Sequence, residues 1–327
     1  MEDDEVVSIL VIYVDDIMFA GPEMERAELL ASLQKKLPAK DLGLCTWYDG
    51  HAIDMDIEAG TTTLSQTAFI EEMLEKYEVT STAPTPAIPG ADLGPRRDDE
   101  PLVDEPVRQV IGSLMWSATF TRPDIAAPLN AVQRHAHSPC DRQWQALLQI
   151  LSYLNATKHF GITFVRGSVL DLEVYVDASY AEKEADRRSL TGIAVTVGGA
   201  VVSHASKTQR IIALSTSESE YIAAGEGMKE ALFVLAVLSF IAPKTSGAKI
   251  KVLEDNEGAK ALVENPFSSA RSKHIDVRYH FIRELFKSGR ITIEFVPTEQ
   301  QHADMLTKAL GRAKLEKHRK FLTNLPE

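Results

Sequence analysis

The sequence predicts an α/β protein of the mixed type, in which a five-stranded mixed sheet in the C-terminal half is flanked by helices. Two observations support this fold class. First, three segments with the residue pattern of strands precede a long helical segment at 216–241. Second, strand and helix then alternate, an order typical of a mixed sheet covered by helices. The strands are predicted at 172–177, 191–197, 200–206, 250–255 and 291–296, and the later helices at 257–264, 273–287 and 302–310.

The first of these strands alternates apolar and polar residues with the period of a half-buried strand. Leu172, Val174 and Val176 share one face, and the other face carries Tyr175 and ends on Asp177. Taken alone, this pattern also fits an ordinary strand that runs into a turn.

The N-terminal part begins with two β-prone runs over residues 6–20, with two acidic residues at the turn between them. Apolar residues at helical spacing predict a helix at 23–37 and a second helix from a Ser65 cap through Tyr77.

Six prolines among small and acidic residues interrupt the chain at 80–106, which indicates a linker or an extended surface segment. Helical signal resumes near Val107, and Gly161–Val165 has the pattern of an edge strand. We expect a domain boundary near residue 166.

The net charge of −12 is unevenly distributed. Residues 1–106 hold 24 acidic and 7 basic residues, whereas residues 107–327 hold 23 acidic and 28 basic residues. Because phosphate binding needs a local positive surface and not a positive total, the C-terminal part remains compatible with a nucleic-acid partner.

Cys45 and Cys140 lie far apart without metal-ligand spacing, which fits a reducing compartment. The longest apolar run, 231–242, is shorter than the roughly 20 residues that span a bilayer, and the N-terminus does not resemble a signal peptide. These features predict an intracellular protein, cytoplasmic or nuclear, that is neither secreted nor membrane-bound.

Carboxylates occupy four places in the C-terminal half where strands end or helices begin. Asp177 and Asp255 end strands, Asp304 opens the last predicted helix, and Glu218 and Glu220 lie in the first turns of the long helix. Because such ends collect at one edge of a sheet, these acids can converge. A carboxylate-only cluster suits magnesium, and two such ions can activate water and stabilise the leaving oxygen of a phosphodiester.

Each acid taken singly also fits a helix cap or a solvated surface residue. The stretches 215–218 and 217–220 both match the capping-box pattern, so capping does not decide between Glu218 and Glu220.

Ordered strings along nearly the whole chain resemble the Pol polyprotein of copia-type retrotransposons, from the end of the reverse transcriptase through the RNase H domain. The strings are YVDD at 13–16, LSQ at 64–66, VIGSLM at 110–115, TRPDI at 121–125, DRRSLTG at 186–192, ALSTSESEY at 213–221, DN at 255–256, KHIDVRYHFIRE at 273–284 and ADMLTK at 303–308.

The resemblance implies an RNase H-like fold whose catalytic and metal-binding acids are Asp177, Glu220, Asp255 and Asp304, which leaves Glu218 a structural role. It implies hydrolysis of the RNA strand of an RNA–DNA hybrid with two magnesium ions, for which manganese is a substitute. It also implies the rest of a Pol polyprotein as a further partner.

The resemblance also divides the chain into regions. These are a partial reverse-transcriptase palm and thumb at 1–80, the proline-rich linker segment at 81–106, a mainly helical connection region at 107–165, the RNase H-like domain at 166–312 and a C-terminal tail at 313–327.

The loop after the first acid departs from the family, because Ser179, Tyr180 and Glu182 stand where Asp, Trp and Gly are usual. We expect this change to affect substrate contacts or loop geometry more than metal binding. We also expect His302 to be a surface residue at a helix start.

Asp15 and Asp16 form the polymerase remnant. A polymerase site needs a third carboxylate from an upstream strand, so we expect no DNA synthesis by this chain alone.

Basic residues around the nuclease domain are predicted to contact the hybrid backbone, although a solvated basic face explains them equally well. They are Arg187, Arg188, Lys207, Arg210, Lys273, Arg278, Arg283 and Lys287.

Two alternatives to an active nuclease stay open. The chain fits an inactive, hybrid-binding remnant of a decayed element, and it also fits a subunit that another chain completes for reverse transcription.

Overall fold

A computed structural model describes residues 6–181, 187–265 and 281–325. Its N-terminal half contains a β-hairpin, a four-stranded antiparallel sheet of order β3-β4-β5-β6 and five helices. The elements are β1 (Ile9–Tyr13), β2 (Asp16–Ala20), α1 (Glu23–Gln34), β3 (Trp47–Tyr48), β4 (His51–Asp56), β5 (Thr61–Ser65), α2 (Thr67–Lys76), α3 (Val107–Phe120), α4 (Ala126–Gln133), α5 (Asp141–Ala156) and β6 (Gly161–Val165).

The C-terminal half contains the predicted five-stranded mixed sheet, with strand order β11-β10-β7-β8-β9. Strands β7, β10 and β11 run parallel, while β8 and β9 complete an antiparallel meander. The predicted mixed α/β fold, a five-stranded mixed sheet flanked by helices, is therefore confirmed. The elements are β7 (Leu172–Ser179), β8 (Leu190–Val197), β9 (Ala200–Thr208), α6 (Thr216–Ile241), β10 (Ile250–Glu254), α7 (Glu257–Glu264), α8 (Phe281–Lys287), β11 (Ile291–Phe295), a 3₁₀ segment (His302–Leu306) and α9 (Arg312–Thr323).

Some predicted boundaries are wrong. Ser65 is the last residue of β5 and pairs with Gly161, so the N-cap of α2 is Gln66. In place of the helix predicted at 302–310, the structure has only the 3₁₀ segment His302–Leu306, and α9 begins beyond that range, at Arg312. Helix α8 covers the end of the predicted helix 273–287, whose first eight residues lie outside the described part of the chain.

Strand β7 is buried on both faces, where the sequence predicted a half-buried strand. Val174 and Val176 pack in a core beneath α6, and Tyr175 packs in a second core on the opposite face. That second core also contains Leu114 of α3 and Leu322 of α9, so it joins residues from both sides of residue 166. The five-stranded sheet is thus covered on one face by helices that precede it in the chain.

A buried polar network reinforces this contact. The guanidinium of Arg122 donates to both oxygens of Asp124, at 3.0 and 2.8 Å. The hydroxyl of Tyr153 donates to Asp124 at 2.5 Å and accepts from Arg319 of α9 at 2.6 Å. Because each buried charge has an oppositely charged or hydroxyl partner, the network compensates the desolvation of these groups.

The described chain at 80–106 has no helix or strand, as its prolines predicted. It is nevertheless fixed to α5. Arg142 donates to Glu100 at 2.7 Å and to the carbonyl of Asp92 at 2.8 Å, and Gln143 donates to the carbonyl of Gly94 at 2.8 Å. The segment is therefore an extended surface strip along α5.

Candidate active site

Three of the four predicted acids meet at one end of the five-stranded sheet. One carboxylate oxygen each from Asp177, Glu220 and Asp255 lies within 4.8 Å of the other two. Asp177 is near the end of β7, Glu220 lies in the second turn of α6, and Asp255 follows the last residue of β10. Parallel β7 and β10 bring their carboxyl ends side by side, which is why these residues converge.

The side chain of Asp177 is oriented by the segment that follows β11. The Thr307 hydroxyl donates a hydrogen bond to Asp177 Oδ2. This approach depends on Gly192, the residue of β8 paired with Asp177. A Cβ at Gly192 would lie 2.7 Å from Thr307 Cγ2 and 2.8 Å from the carbonyl oxygen of Ala303. A residue without a side chain is therefore required at the point where the two segments cross.

Asp304 lies in the 3₁₀ segment, and the ammonium group of Lys308 lies between it and Asp177. The ammonium of Lys308 lies 2.8 Å from Asp304 Oδ1 and 3.9 Å from Asp177 Oδ2. Both carboxylates are buried, while the lysine side chain keeps 38% of its exposure. Asp304 therefore lies beside the three-carboxylate cluster, with Lys308 between it and Asp177.

Glu218 and Glu220 occupy different environments although they are two residues apart. Ser215 caps α6 by accepting from the Glu218 N–H at 3.2 Å, and Glu218 Oε2 accepts from the Leu214 N–H at 2.8 Å. Glu218 thus belongs to the helix start. Glu220 faces the Ala178 N–H, and its second oxygen, Oε2, is buried without a hydrogen-bond partner.

A further buried carboxylate, Glu254, lies beside the cluster, and the sequence reasoning did not find it. It is the last residue of β10 and is fully buried, with one oxygen accepting from the Asn256 N–H at 3.0 Å and the other unpartnered. The available signal was an acidic residue at the end of a strand, immediately before Asp255. Lys308 and Thr307, which contact Asp177, were also missed.

Burial and mutual repulsion raise the pKa values of the three clustered carboxyl groups, those of Asp177, Glu220 and Asp255. Burial, opposed in part by Lys308, raises the pKa of Asp177 to about 6. Burial, then Asp177 and Glu254, raises the pKa of Glu220 well above its usual range. Burial also raises the pKa of Asp255, although its hydrogen bond from Thr298, at 2.8 Å, acts in the opposite direction. The centre is thus short of positive charge.

The donor set fits a hard divalent cation. All its ligand atoms are carboxylate oxygens, and the buried, unpartnered Glu220 Oε2 is an acceptor that such an ion would satisfy. Among the described residues, Asp15 and Asp16 join no comparable cluster: they lie at an exposed hairpin turn.

His302 is buried, so the prediction that it is a surface residue is wrong. Its ring stacks on Phe321 of α9 with centroids 3.7 Å apart, and its Nδ1 lies 3.1 Å from His318 Nδ1. Burial, then the charge of neighbouring His318, lowers the pKa of His302 to about 3. The residue is therefore a neutral member of the contact between the 3₁₀ segment and α9.

The predicted nucleic-acid residues do not share one environment. Arg187, Arg188 and Arg210 are exposed, and Lys273 and Arg278 lie outside the described residues. The ammonium groups of Lys207 and Lys287 lie 2.8 and 3.3 Å from Glu230 and Glu284.

Arg283 has a packing role within the fold. It donates to the Leu262 carbonyl at 2.6 Å and lies over the ring of Tyr221 at 5.4 Å. It therefore links α8 to α6 and α7, whatever else it contacts.

Among the described helices, none has the length and apolar character needed to cross a membrane. The cysteines Cys45 and Cys140 are both free thiols.

No protein-family model matches the chain. The retrovirus-related Pol polyprotein from transposon TNT 1-94 of Nicotiana tabacum is 34% identical over 317 residues, which cover 94% of this chain and 24% of the relative. The Pol polyprotein from transposon RE1 of Arabidopsis thaliana is 31% identical over 306 residues, which cover 93% of this chain and 21% of the relative. A solved RNase H1 isolated from compost is 15% identical with a TM-score of 0.31, and the match covers 46% of this chain and 98% of that one.

The chain spans about a quarter of the length of the curated relatives that it matches. The two Pol polyproteins align with more than nine-tenths of it at over 30% identity. The resemblance seen in the sequence strings is confirmed: over more than nine-tenths of its length the chain is similar to the copia-type Pol polyproteins of transposons.

Proposed function

We propose that this chain is an RNase H-type endoribonuclease that hydrolyses the RNA strand of an RNA–DNA hybrid. In this proposal Asp177, Glu220, Asp255 and Asp304 hold two magnesium ions. The observation that supports it most strongly is the convergence of three carboxylates within 4.8 Å, all at one end of the sheet. Four acids that repel one another are stable together when cations bind between them, and phosphodiester hydrolysis uses such cations.

The bound ions would activate a water molecule and stabilise the leaving oxygen of the phosphodiester. The water oxygen then bonds to phosphorus and the ribose 3′ oxygen leaves, so the products carry a 3′ hydroxyl and a 5′ phosphate. The chain's own residues orient the ligands: Thr307 fixes Asp177, and Thr298 fixes Asp255. Burial of Asp177 and Glu220 keeps bulk water from screening the centre.

Substrate contacts are proposed on the exposed arginines near the centre. Arg187 and Arg188 precede β8, and Arg210 follows β9. Because Ser179 pairs with Leu190 and Leu190 with Thr208, these arginines lie at the end of the sheet where β7 ends. We propose that they contact backbone phosphates, together with Lys273 and Arg278, and that Lys207 and Lys287 contribute after leaving their acidic partners. Hybrid binding should then weaken as salt rises.

The test is magnesium-dependent cleavage of a labelled RNA–DNA hybrid by the purified chain. Wild type should cleave, and Asp255→Asn and Glu220→Gln should lose at least about 100-fold in rate, because each removes a charge that is needed only at the metal site. Glu218→Gln is the matched control. It has the same side-chain change on the same helix, and its cost should appear in stability because Glu218 accepts from the Leu214 N–H.

Absence of cleavage by wild type under magnesium and under manganese would refute the proposal. Tight hybrid binding without cleavage would instead support the inactive, hybrid-binding alternative. Primer extension by the purified chain would contradict our expectation that Asp15 and Asp16 alone do not support DNA synthesis.

A further inference from the structure

The acidic centre contains its own cation. Lys308 contacts Asp304 at 2.8 Å and approaches Asp177 at 3.9 Å. Among the described residues, no other lysine or arginine forms an ion pair with Asp177, Glu220, Asp255 or Asp304. One ammonium group therefore faces several buried carboxyl groups.

The backbone conformation of this segment brings the ammonium group close to the acids. The Lys308 N–H donates to the Asp304 carbonyl at 3.2 Å, which closes one helical turn and puts both side chains on one side of the segment. The preceding residue, Thr307, is the donor to Asp177. Lys308 thus reaches both acids from the segment that also positions them.

The position of the ammonium conflicts with that of a divalent ion. A cation shared by Asp177 and Asp304 would lie between their oxygens, where Lys308 already lies. Two cations cannot occupy that space, since like charges at such separations repel strongly in a partly buried site. Lys308 can leave, because its side chain is 38% exposed and its stem is long and flexible.

We propose that Lys308 is a built-in counter-cation of the acidic centre, which stabilises the metal-free protein and is displaced when a divalent ion binds between Asp177 and Asp304. This inference rests on the proposed function for its account of which ion binds, and it concerns the regulation of metal affinity. Lys308 is a positioning residue and is not assigned a step in hydrolysis.

The test compares wild type with Lys308→Met in two measurements that need no nucleic acid. The first is titration calorimetry with Mn²⁺ and with Mg²⁺ alone. Removing the competing charge should tighten metal binding by on the order of tenfold. The second is the thermal midpoint in excess chelator, which should fall in Lys308→Met because the acids lose their counter-charge, whereas the upward shift on adding metal should grow.

Lys260→Met is the matched control, since Lys260 forms an ion pair at the same spacing with Glu264, at 3.1 Å, and does not contact the centre. It should leave metal affinity unchanged. Lys308→Arg keeps the charge and should bind metal no more tightly than wild type. If Lys308→Met does not fold, Lys308→Gln supplies the same two measurements.

The proposal is overturned if Lys308→Met binds Mn²⁺ no more tightly than wild type, or if neither protein binds it. Failure of the proposed function is a separate result: wild type would bind metal yet leave the RNA–DNA hybrid intact, and the effect of Lys308 on affinity would still be measurable.

Discussion

Replacing Gly192 by alanine tests the close crossing that positions the acidic centre. The added Cβ would lie 2.7 Å from Thr307 Cγ2, 2.8 Å from the Ala303 carbonyl oxygen and 3.0 Å from Leu306 Cβ. Because one of these atoms belongs to the backbone, the 3₁₀ segment must move away from β8. Overpacking of this kind costs about 1–3 kcal/mol of unfolding free energy.

The same movement should weaken metal binding. It withdraws the Thr307 hydroxyl from Asp177 and shifts Asp304 away from β7. Loss of such an orienting contact typically weakens metal affinity about 10- to 100-fold. Urea unfolding in chelator gives the stability change, and Mn²⁺ titration calorimetry gives the change in affinity.

Gly112 provides the control. It is exposed in α3, and a Cβ added there meets no heavy atom within 4 Å. Gly112→Ala should therefore stabilise the protein by about 0.5–1 kcal/mol, because alanine loses less backbone entropy in a helix. If Gly192→Ala were as stable as wild type and bound Mn²⁺ equally well, the argument from close approach would be wrong.

Three further predictions concern the rest of the molecule. Tyr153→Phe should cost about 1–3 kcal/mol in urea unfolding, because Asp124 and Arg319 each lose a buried partner; a change near zero would contradict this. Burial, then neighbouring lysines, lowers the pKa of His318 to about 4. Below pH 6.5 the unfolded state therefore binds a proton that the folded state does not, and the free energy of unfolding should decrease by about 1.4 kcal/mol per pH unit between pH 6.5 and 4. His318→Phe should reduce this slope without abolishing it, because the pKa of His302 is also lowered, and an unchanged slope would refute the prediction. A fragment of residues 166–327 should bind a hydrophobic dye and unfold without cooperativity, since the core shared with α3 and α5 is exposed; cooperative unfolding at the wild-type midpoint would show the opposite.

Most of the local structure of the C-terminal half could be predicted from the sequence alone. Helices α6 and α7 begin and end where the pattern predicted them, and the strands agree to within two residues. This agreement has a local cause, because hydrophobic period and helix-capping residues act over a few neighbouring positions. The same local rules placed an acid at the end of β7 and another after β10.

Other features depended on contacts between distant segments. Capping left Glu218 and Glu220 equivalent, and only the family resemblance distinguished them; the physical difference is that Glu218 accepts from the Leu214 N–H whereas Glu220 faces β7. His302 was predicted to be exposed, yet α9 covers it. No pattern around residues 302–310 signalled that cover.

The centre itself shows the same division. Asp177 and Lys308 are 131 residues apart, and they meet because parallel strands place their ends together and Gly192 leaves room for the crossing segment. The sequence determined which side chains are acidic and which elements carry them. The distances between these side chains, their burial and the Lys308 ammonium between them could not be predicted in this way, because burial and electrostatic coupling depend on separation in space and not along the chain.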